Sequence, residues 1–297
     1  MVLGSVLSVL GWLVFVWYFG VFAFAFQQEL KVGWKDFGLK GRMAIFILAM
    51  EIAGTFHQVL VYVYSLVNGT RAGRQFGHRT MCRFFGWLTP ILFGPFQVEG
   101  LENLPPKDEM CVYVSNHQST VDFSLYYALP HDHFIGLCAV AKASIMYMPG
   151  FGAMTALCGG IMIKRGKKGT MQQLLEHSEQ RLNDGINVGM FPQGTRLVPK
   201  PGVKPLEFKK GFAVMAAKTK KRVVPMTFLY ASDFASGSRD LSKSAFKVIV
   251  HPAVTIQDSD AAIEAATKQV EATVLKPILD AVKAEEQAGN QEPKKNK

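Results

Sequence analysis

From residue 96 onward, short apolar runs alternate with stretches of helical character, and this alternation limits the fold more than any other feature of the chain. The runs cover residues 96–98, 110–114, 134–140, 160–163, 186–191, 223–229 and 246–250. Between and after them, helical patterns cover 121–129, 151–157, 170–183, 211–218 and 261–284, the last carrying Pro277. Strands separated by helices can pair in parallel, because the helix returns the chain to the same end of the sheet. The expected fold is α/β, a parallel or mixed sheet flanked by helices, with ligands met at the C-terminal ends of the strands. Val224-Pro225-Met226 puts a residue without an N–H inside a run, which predicts an edge strand or a bulge there.

Upstream the chain is different. Residues 1–26 contain no charged side chain. As a helix they reach about 39 Å, enough to cross a hydrocarbon core about 30 Å thick. Ala23-Phe24-Ala25 resembles a leader-cleavage site, but a basic stretch before it is missing and the apolar run is too long. A second apolar stretch, 43–67, includes Glu51, His57 and Gln58. Cations flank it on both sides: Lys31, Lys35, Lys40 and Arg42 before, Arg71, Arg74, Arg79 and Arg83 after. Two full spans would place one basic group on the wrong side. A hairpin dipping into one leaflet, or one span with an in-plane helix, avoids that conflict. Residues 84–96 are short, hold Pro90, Gly94 and Pro95, and read as an interfacial segment. Three regions follow: membrane-anchoring helices at 1–92, an α/β domain at 93–284, and a disordered basic tail at 285–297.

Charge and cysteines narrow the chemistry. The formal net charge is +10. Residues 164–222 hold fourteen Lys or Arg against four acids, so that segment alone accounts for the excess. Such a segment suits phosphate-bearing partners. Nucleic acid is disfavoured: no binding module is recognisable, and the anchoring region argues for a lipid bilayer instead. Cys82, Cys111, Cys138 and Cys158 lie singly in apolar surroundings, without metal or redox spacing. Buried, reduced thiols on a cytosol-facing domain are expected. His131-Asp132-His133 shows no third ligand and is read as solvated, so no metal is expected.

The run 110–114 leads into Ser115-Asn116-His117-Gln118-Ser119-Thr120-Val121-Asp122. Positions five apart on one helix lie on different faces. His117 and Asp122 meet only if the histidine is in the turn and the aspartate in the first helical turn. Asp122 then holds one ring nitrogen and leaves the other free as a base. Ser119-x-x-Asp122 also fits a capping box, a purely structural alternative. Further on, Phe191-Pro192-Gln193-Gly194-Thr195-Arg196 ends a run with a turn bearing a hydroxyl and a guanidinium that can grip phosphate. Ile163-Lys164-Arg165 ends another in cations, and Lys209-Lys210 precede a helix start.

In this order the blocks resemble the glycerolipid acyltransferase family, whose motifs are N-H-x-x-x-x-D, a strand ending in a basic pair, F-P-E-G-T-R and V-P-[IVM]. They stand here as Asn116-His117 with Asp122, Lys164-Arg165, Phe191 to Arg196, and Val224-Pro225-Met226. The resemblance spans residues 96–252. One departure is Gln193 where the family has glutamate, which keeps an acceptor and loses the charge.

The resemblance implies an acyl-CoA:1-acyl-glycerol-3-phosphate acyltransferase making phosphatidic acid, with acyl-CoA as co-substrate and no further cofactor. It implies His117 as general base and Asp122 as its orienter. Substrate contacts are implied from Asn116, Arg165, Gln193, Gly194, Thr195, Arg196, Lys209, Lys210 and Pro225. Transfer to another lysophospholipid, a transacylase, or a silent lipid-binding member are the alternatives. Lys294-Lys295 near the end of the sequence resemble a di-lysine retrieval signal, implying an endoplasmic-reticulum membrane protein. Oligomeric state is left open.

Overall fold

The structure, a computed structural model, describes residues 27, 37–130, 136–148, 150–164, 166–234 and 240–291. The first apolar stretch, His131-Asp132-His133, Arg165 and the terminal lysines lie outside the described residues.

Two helices come first: α1 (Phe37–Asn68) and α2 (Thr70–Phe93). Gly69 joins them at φ 85°, in the left-handed region where a side chain would be strained. Then follow β1 (Phe96–Glu99), β2 (Val112–Ser115), α3 (Asp122–Leu125), β3 (Leu137–Lys142) and α4 (Phe151–Leu157). The remainder is β4 (Ile161–Ile163), α5 (Thr170–Asn183), β5 (Asn187–Met190), α6 (Gly211–Thr219), β6 (Val223–Tyr230), β7 (Phe246–Val250) and α7 (Asp260–Gln291).

The seven strands form one sheet in the order β1-β7-β6-β2-β5-β3-β4. Only β6 and β7 pair antiparallel, so the sheet is mixed. Alternate residues of β2 feed opposite faces, as the pleat dictates. Cys111 and Tyr113 join a core with Leu39, Met43, Phe46 and Met50 of α1 and Phe85 and Phe93 of α2. Val112 and Val114 join another with Phe212 of α6 and Val270, Val274 and Ile278 of α7. Helix α1 therefore shares a core with the sheet along its first half. Gly54 lets α1 pass close to the start of α4, since a Cβ there would stand 2.8 Å from the Gly150 carbonyl carbon. The remaining face of α1 is apolar and exposed, through Ile52, Phe56, Val59, Leu60, Val63 and Val67. By length and apolarity, Leu39–Asn68 suffices to cross a membrane.

Several expectations are corrected. Residues 84–93 are not a separate interfacial segment but the last turns of α2, with Pro90 inside it. Burial of Phe85, Leu88, Thr89 and Phe93 holds the helix through the proline. The Pro225 strand is not at an edge: β6 lies between β7 and β2. The missing N–H is tolerated because the β7 ladder begins one residue later, at Met226–Val250. His251, just past β7, supplies an N–H to the Pro225 carbonyl at 3.0 Å. Finally, α7 runs through Glu285, where a disordered tail is expected to begin, as far as Gln291.

His78 of α2 faces inward, 3% exposed, with Nε2 donating to the Cys158 carbonyl at 2.7 Å. Burial pushes its pKa from 6.5 down to about 4, with neighbouring His57, Arg181 and Arg74 adding to the effect. Above pH 6.5 neither folded nor unfolded chain carries the proton. Between 6.5 and 4 the unfolded chain binds a proton that the fold refuses. Stability should then fall by about 1.4 kcal/mol per pH unit, roughly 3 kcal/mol in all. Denaturant midpoints taken between pH 7.5 and 4.5 should show a shallower decline for His78→Gln than for the parent. Identical declines would contradict this account.

Candidate active site

Strands β2 and β5 are parallel neighbours, so the turns that follow them emerge side by side. Each turn carries one half of the site. After β2, His117 Nδ1 lies 2.7 Å from Asp122 Oδ2. Asp122 opens α3 and is fully buried, while the His117 side chain is 21% exposed. The same Oδ2 accepts the backbone N–H of Gln118 at 2.5 Å and of Ser119 at 2.9 Å. Oδ1 accepts the hydroxyl of Tyr230, the last residue of β6. One carboxylate thus closes the turn, as half of the capping box between Ser119 and Asp122, and holds the imidazole by Nδ1. Phe191 stacks on the imidazole, centroids 4.1 Å apart and planes 10° from parallel. With Nδ1 engaged as donor, Nε2 is the nitrogen left to act as a base.

After β5, Gly194 N–H closes a turn on the Phe191 carbonyl at 3.1 Å. Proline at its second position and glycine at its fourth, here at φ 75°, are what a type I turn favours. The two turns are laced together. His117 N–H donates to Gln193 Oε1 at 2.7 Å, and Leu197 N–H donates to the His117 carbonyl at 3.0 Å. Gln193 Nε2 reaches the Leu206 carbonyl at 3.4 Å. The acceptor that glutamine shares with glutamate is the part that holds the turn. Gln193→Glu should keep the turn and change transfer by less than roughly threefold, whereas Gln193→Leu removes the acceptor. Orphaning that N–H costs about 1–3 kcal/mol, so Leu should lower both melting temperature and kcat. Equal kcat for the Leu variant and the parent would show that the lacing is idle.

The cations divide. Arg196 bonds Thr120 Oγ1 at 2.6 Å, which places its guanidinium at the histidine turn. Lys209 is tied to the same region by its N–H to the Pro192 carbonyl at 3.1 Å, and Lys210 caps α6. Both lysines and Thr195 are exposed. Lys164 follows β4, three strands from β2, hence about 14 Å to the side at the same end of the sheet. Lys218, Lys220, Lys221 and Arg222 sit where β6 begins, at the opposite end. Arg222 there pairs with Glu109. The basic segment is thus not one patch, because α6 carries it across the sheet.

Asn116 and Pro225 are placed in the framework. Asn116 is 1% exposed, with Oδ1 accepting Phe228 N–H at 2.8 Å and Nδ2 donating to its carbonyl at 3.0 Å. It extends the β2–β6 pairing past the strand end. Pro225 is buried within β6, opposite Val114. Sequence reasoning missed Tyr230, Thr120 and Phe191 as partners. Tyr230 had one legible signal, a hydroxyl at the C-terminal end of a strand.

Residues 95–229 match the acyltransferase family model. A 1-acyl-sn-glycerol-3-phosphate acyltransferase from Pseudomonas aeruginosa is 27% identical over 85% of this chain and 96% of its own length. A protein of the same name from Chlamydomonas reinhardtii is 33% identical over 61% of this chain. The chain spans only 53% of that relative. The crystal structure of the 1-acyl-sn-glycerophosphate (LPA) acyltransferase PlsC from Thermotoga maritima shares the fold, with TM-score 0.52 at 20% identity. That match covers 79% of this chain and 97% of the other. Residues 95–229, which include both turns of the site, are thus similar to the acyltransferase family.

Proposed function

We propose that the chain transfers an acyl group from acyl-CoA to the sn-2 hydroxyl of 1-acyl-glycerol-3-phosphate, giving phosphatidic acid and free CoA. The observation that carries this reading is the His117–Asp122 pair at 2.7 Å beside the turn of Arg196. His117 Nε2 takes the hydroxyl proton as the oxygen attacks the thioester carbonyl carbon. The tetrahedral intermediate then expels the CoA sulfur, and the imidazolium returns its proton to that sulfur. Asp122, deprived of water, favours the transient positive ring.

A covalent acyl-enzyme is unnecessary and poorly served. Burial pushes all four thiols up to about 12, so none is a ready thiolate. Ser115 is buried, with its hydroxyl 2.7 Å from that of Tyr126. The substrate phosphate is assigned to Arg196 with Lys209 and Lys210, and Lys164, which follows β4 at the same end of the sheet, adds a cation to their side. The relatives' names and these cations support a phosphate-monoester acceptor.

The outward apolar face of α1, with Trp87 and Ile91 of α2, supports seating in a bilayer from which lysolipid arrives. Purified protein in micelles should acylate lysophosphatidate well above lysophosphatidylcholine or glycerol 3-phosphate. Equal rates for the choline lipid would refute the phosphate assignment.

A further inference from the structure

Asp122 is held at both carboxylate oxygens, and the two sets of donors come from different parts of the chain. Oδ2 meets His117 Nδ1 and the N–H groups of Gln118 and Ser119. These donors belong to the same turn as the aspartate, so they tie the carboxylate to the turn and move with it. Oδ1 accepts the hydroxyl of Tyr230, at the end of β6. Among the described residues that hydroxyl is the partner Oδ1 has, and it ties the carboxylate to the sheet instead.

The fold prepares this tyrosine for one position. Strand β2 ends at Ser115, opposite Met226, and β6 runs on past it to Tyr230. The pleat sends Met226, Phe228 and Tyr230 to one face, the face that packs against α1 and α2. There the phenol ring is met edge-on by Phe234, centroids 4.7 Å apart, and by Phe246 at 5.1 Å. Both phenylalanines are buried, and Phe234 lies against Phe93 of α2 at 5.8 Å. Edge-to-face packing on two sides leaves the ring little freedom. Those contacts would serve a phenylalanine equally well; the hydroxyl adds the bond to Asp122.

The consequence concerns aim. The last torsion of an aspartate is broad and roughly two-fold, so donors on one oxygen leave the carboxylate plane free to swing. A fixed donor on the other oxygen sets that plane. With it comes the direction of Nδ1 and, across the ring, of Nε2. A reacting group misplaced by about 1 Å can cost about a hundredfold in rate.

We propose that Tyr230 is a positioning residue for acyl transfer: its hydroxyl fixes the plane of the Asp122 carboxylate against the sheet and so aims Nε2 of His117 at the acceptor hydroxyl. This role rests on the acyl-transfer reading above, and Tyr230 acts through Asp122 and His117.

The test uses the full chain in detergent micelles. Tyr230→Phe keeps the ring between Phe234 and Phe246 and removes only the oxygen. Its kcat should fall about tenfold. KM for acyl-CoA and for lysophosphatidate should stay within about twofold, because Arg196, Lys209 and Lys210 are unaltered. In the His117→Ala background the same change should cost less than about twofold, since no imidazole is left to aim. A tyrosine that served the fold alone would lower the rate by the same factor in both backgrounds. Phe246→Leu leaves the hydroxyl in place and frees the ring on one side, and should lower kcat about threefold at constant KM. The low-field proton NMR signal of His117 Nδ1–H, identified by its loss in His117→Ala, reports the same tie without turnover. Its exchange with water should quicken about tenfold in Tyr230→Phe.

Parental kcat in Tyr230→Phe, or an equal loss with and without the histidine, overturns the proposal. If the parent protein transfers no acyl group from any donor, the catalytic reading fails by itself and the Nδ1 proton decides. Unchanged exchange in Tyr230→Phe then overturns the positioning role, and faster exchange upholds it.

Discussion

His117→Ala should lower kcat for acyl transfer by between about 10² and 10⁴, the span that general-base catalysis supplies. The loss should fall on the chemical step, because Arg196, Lys209 and Lys210, to which the substrate phosphate is assigned, are untouched. The fold should survive. The backbone N–H and carbonyl of residue 117 carry the lacing to Gln193 and Leu197, and an alanine keeps both. What disappears is the ring stacked on Phe191 and its bond to Asp122. Intact melting behaviour together with more than a tenth of the parental rate would mean that another group removes the proton.

The second large effect is at Asp122, where two substitutions should separate two roles. Asparagine can keep its oxygen toward Nδ1 of His117 and the N–H groups of Gln118 and Ser119, while its amide group turns to Tyr230, whose hydroxyl accepts as well as donates. Asp122→Asn should therefore fold, with a thermal midpoint only a few degrees lower. It has no charge with which to favour the imidazolium, and kcat should drop about a hundredfold or more. Asp122→Ala leaves several buried donors without an acceptor, at about 1–3 kcal/mol each. That protein should express poorly or melt far below the parent. Asp122→Asn at near-parental kcat would show that the carboxylate serves the turn alone.

Much of this was legible because the relevant signals are local. All seven strands fall on apolar runs seen in the sequence, and α4 and α5 match the expected 151–157 and 170–183. The five-residue interval from His117 to Asp122 could be argued from helix geometry alone. Strand order was not legible, since alternation does not say that β6 lies beside β2 or that β7 reverses direction. The same gap hid Tyr230, which reaches Asp122 only through that neighbourhood. It also misplaced Pro225, whose missing N–H matters according to where the adjacent strand stops. Pro90 misled for a different reason: local propensity argued for a break, and burial of α2 against the core overrode it.

The shared core of α1 and the sheet has a practical corollary. Leu39, Met43, Phe46 and Met50 line the same interior as Tyr113 and Phe228. The segment that looks like a removable tether is a wall of the building. Trimming it off to obtain a water-soluble fragment would strip one side of the interior bare and yield aggregate. A soluble variant is better sought by recolouring the outward positions of that helix, Phe56, Val59 and Val63 among them, with polar side chains while the backbone stays whole.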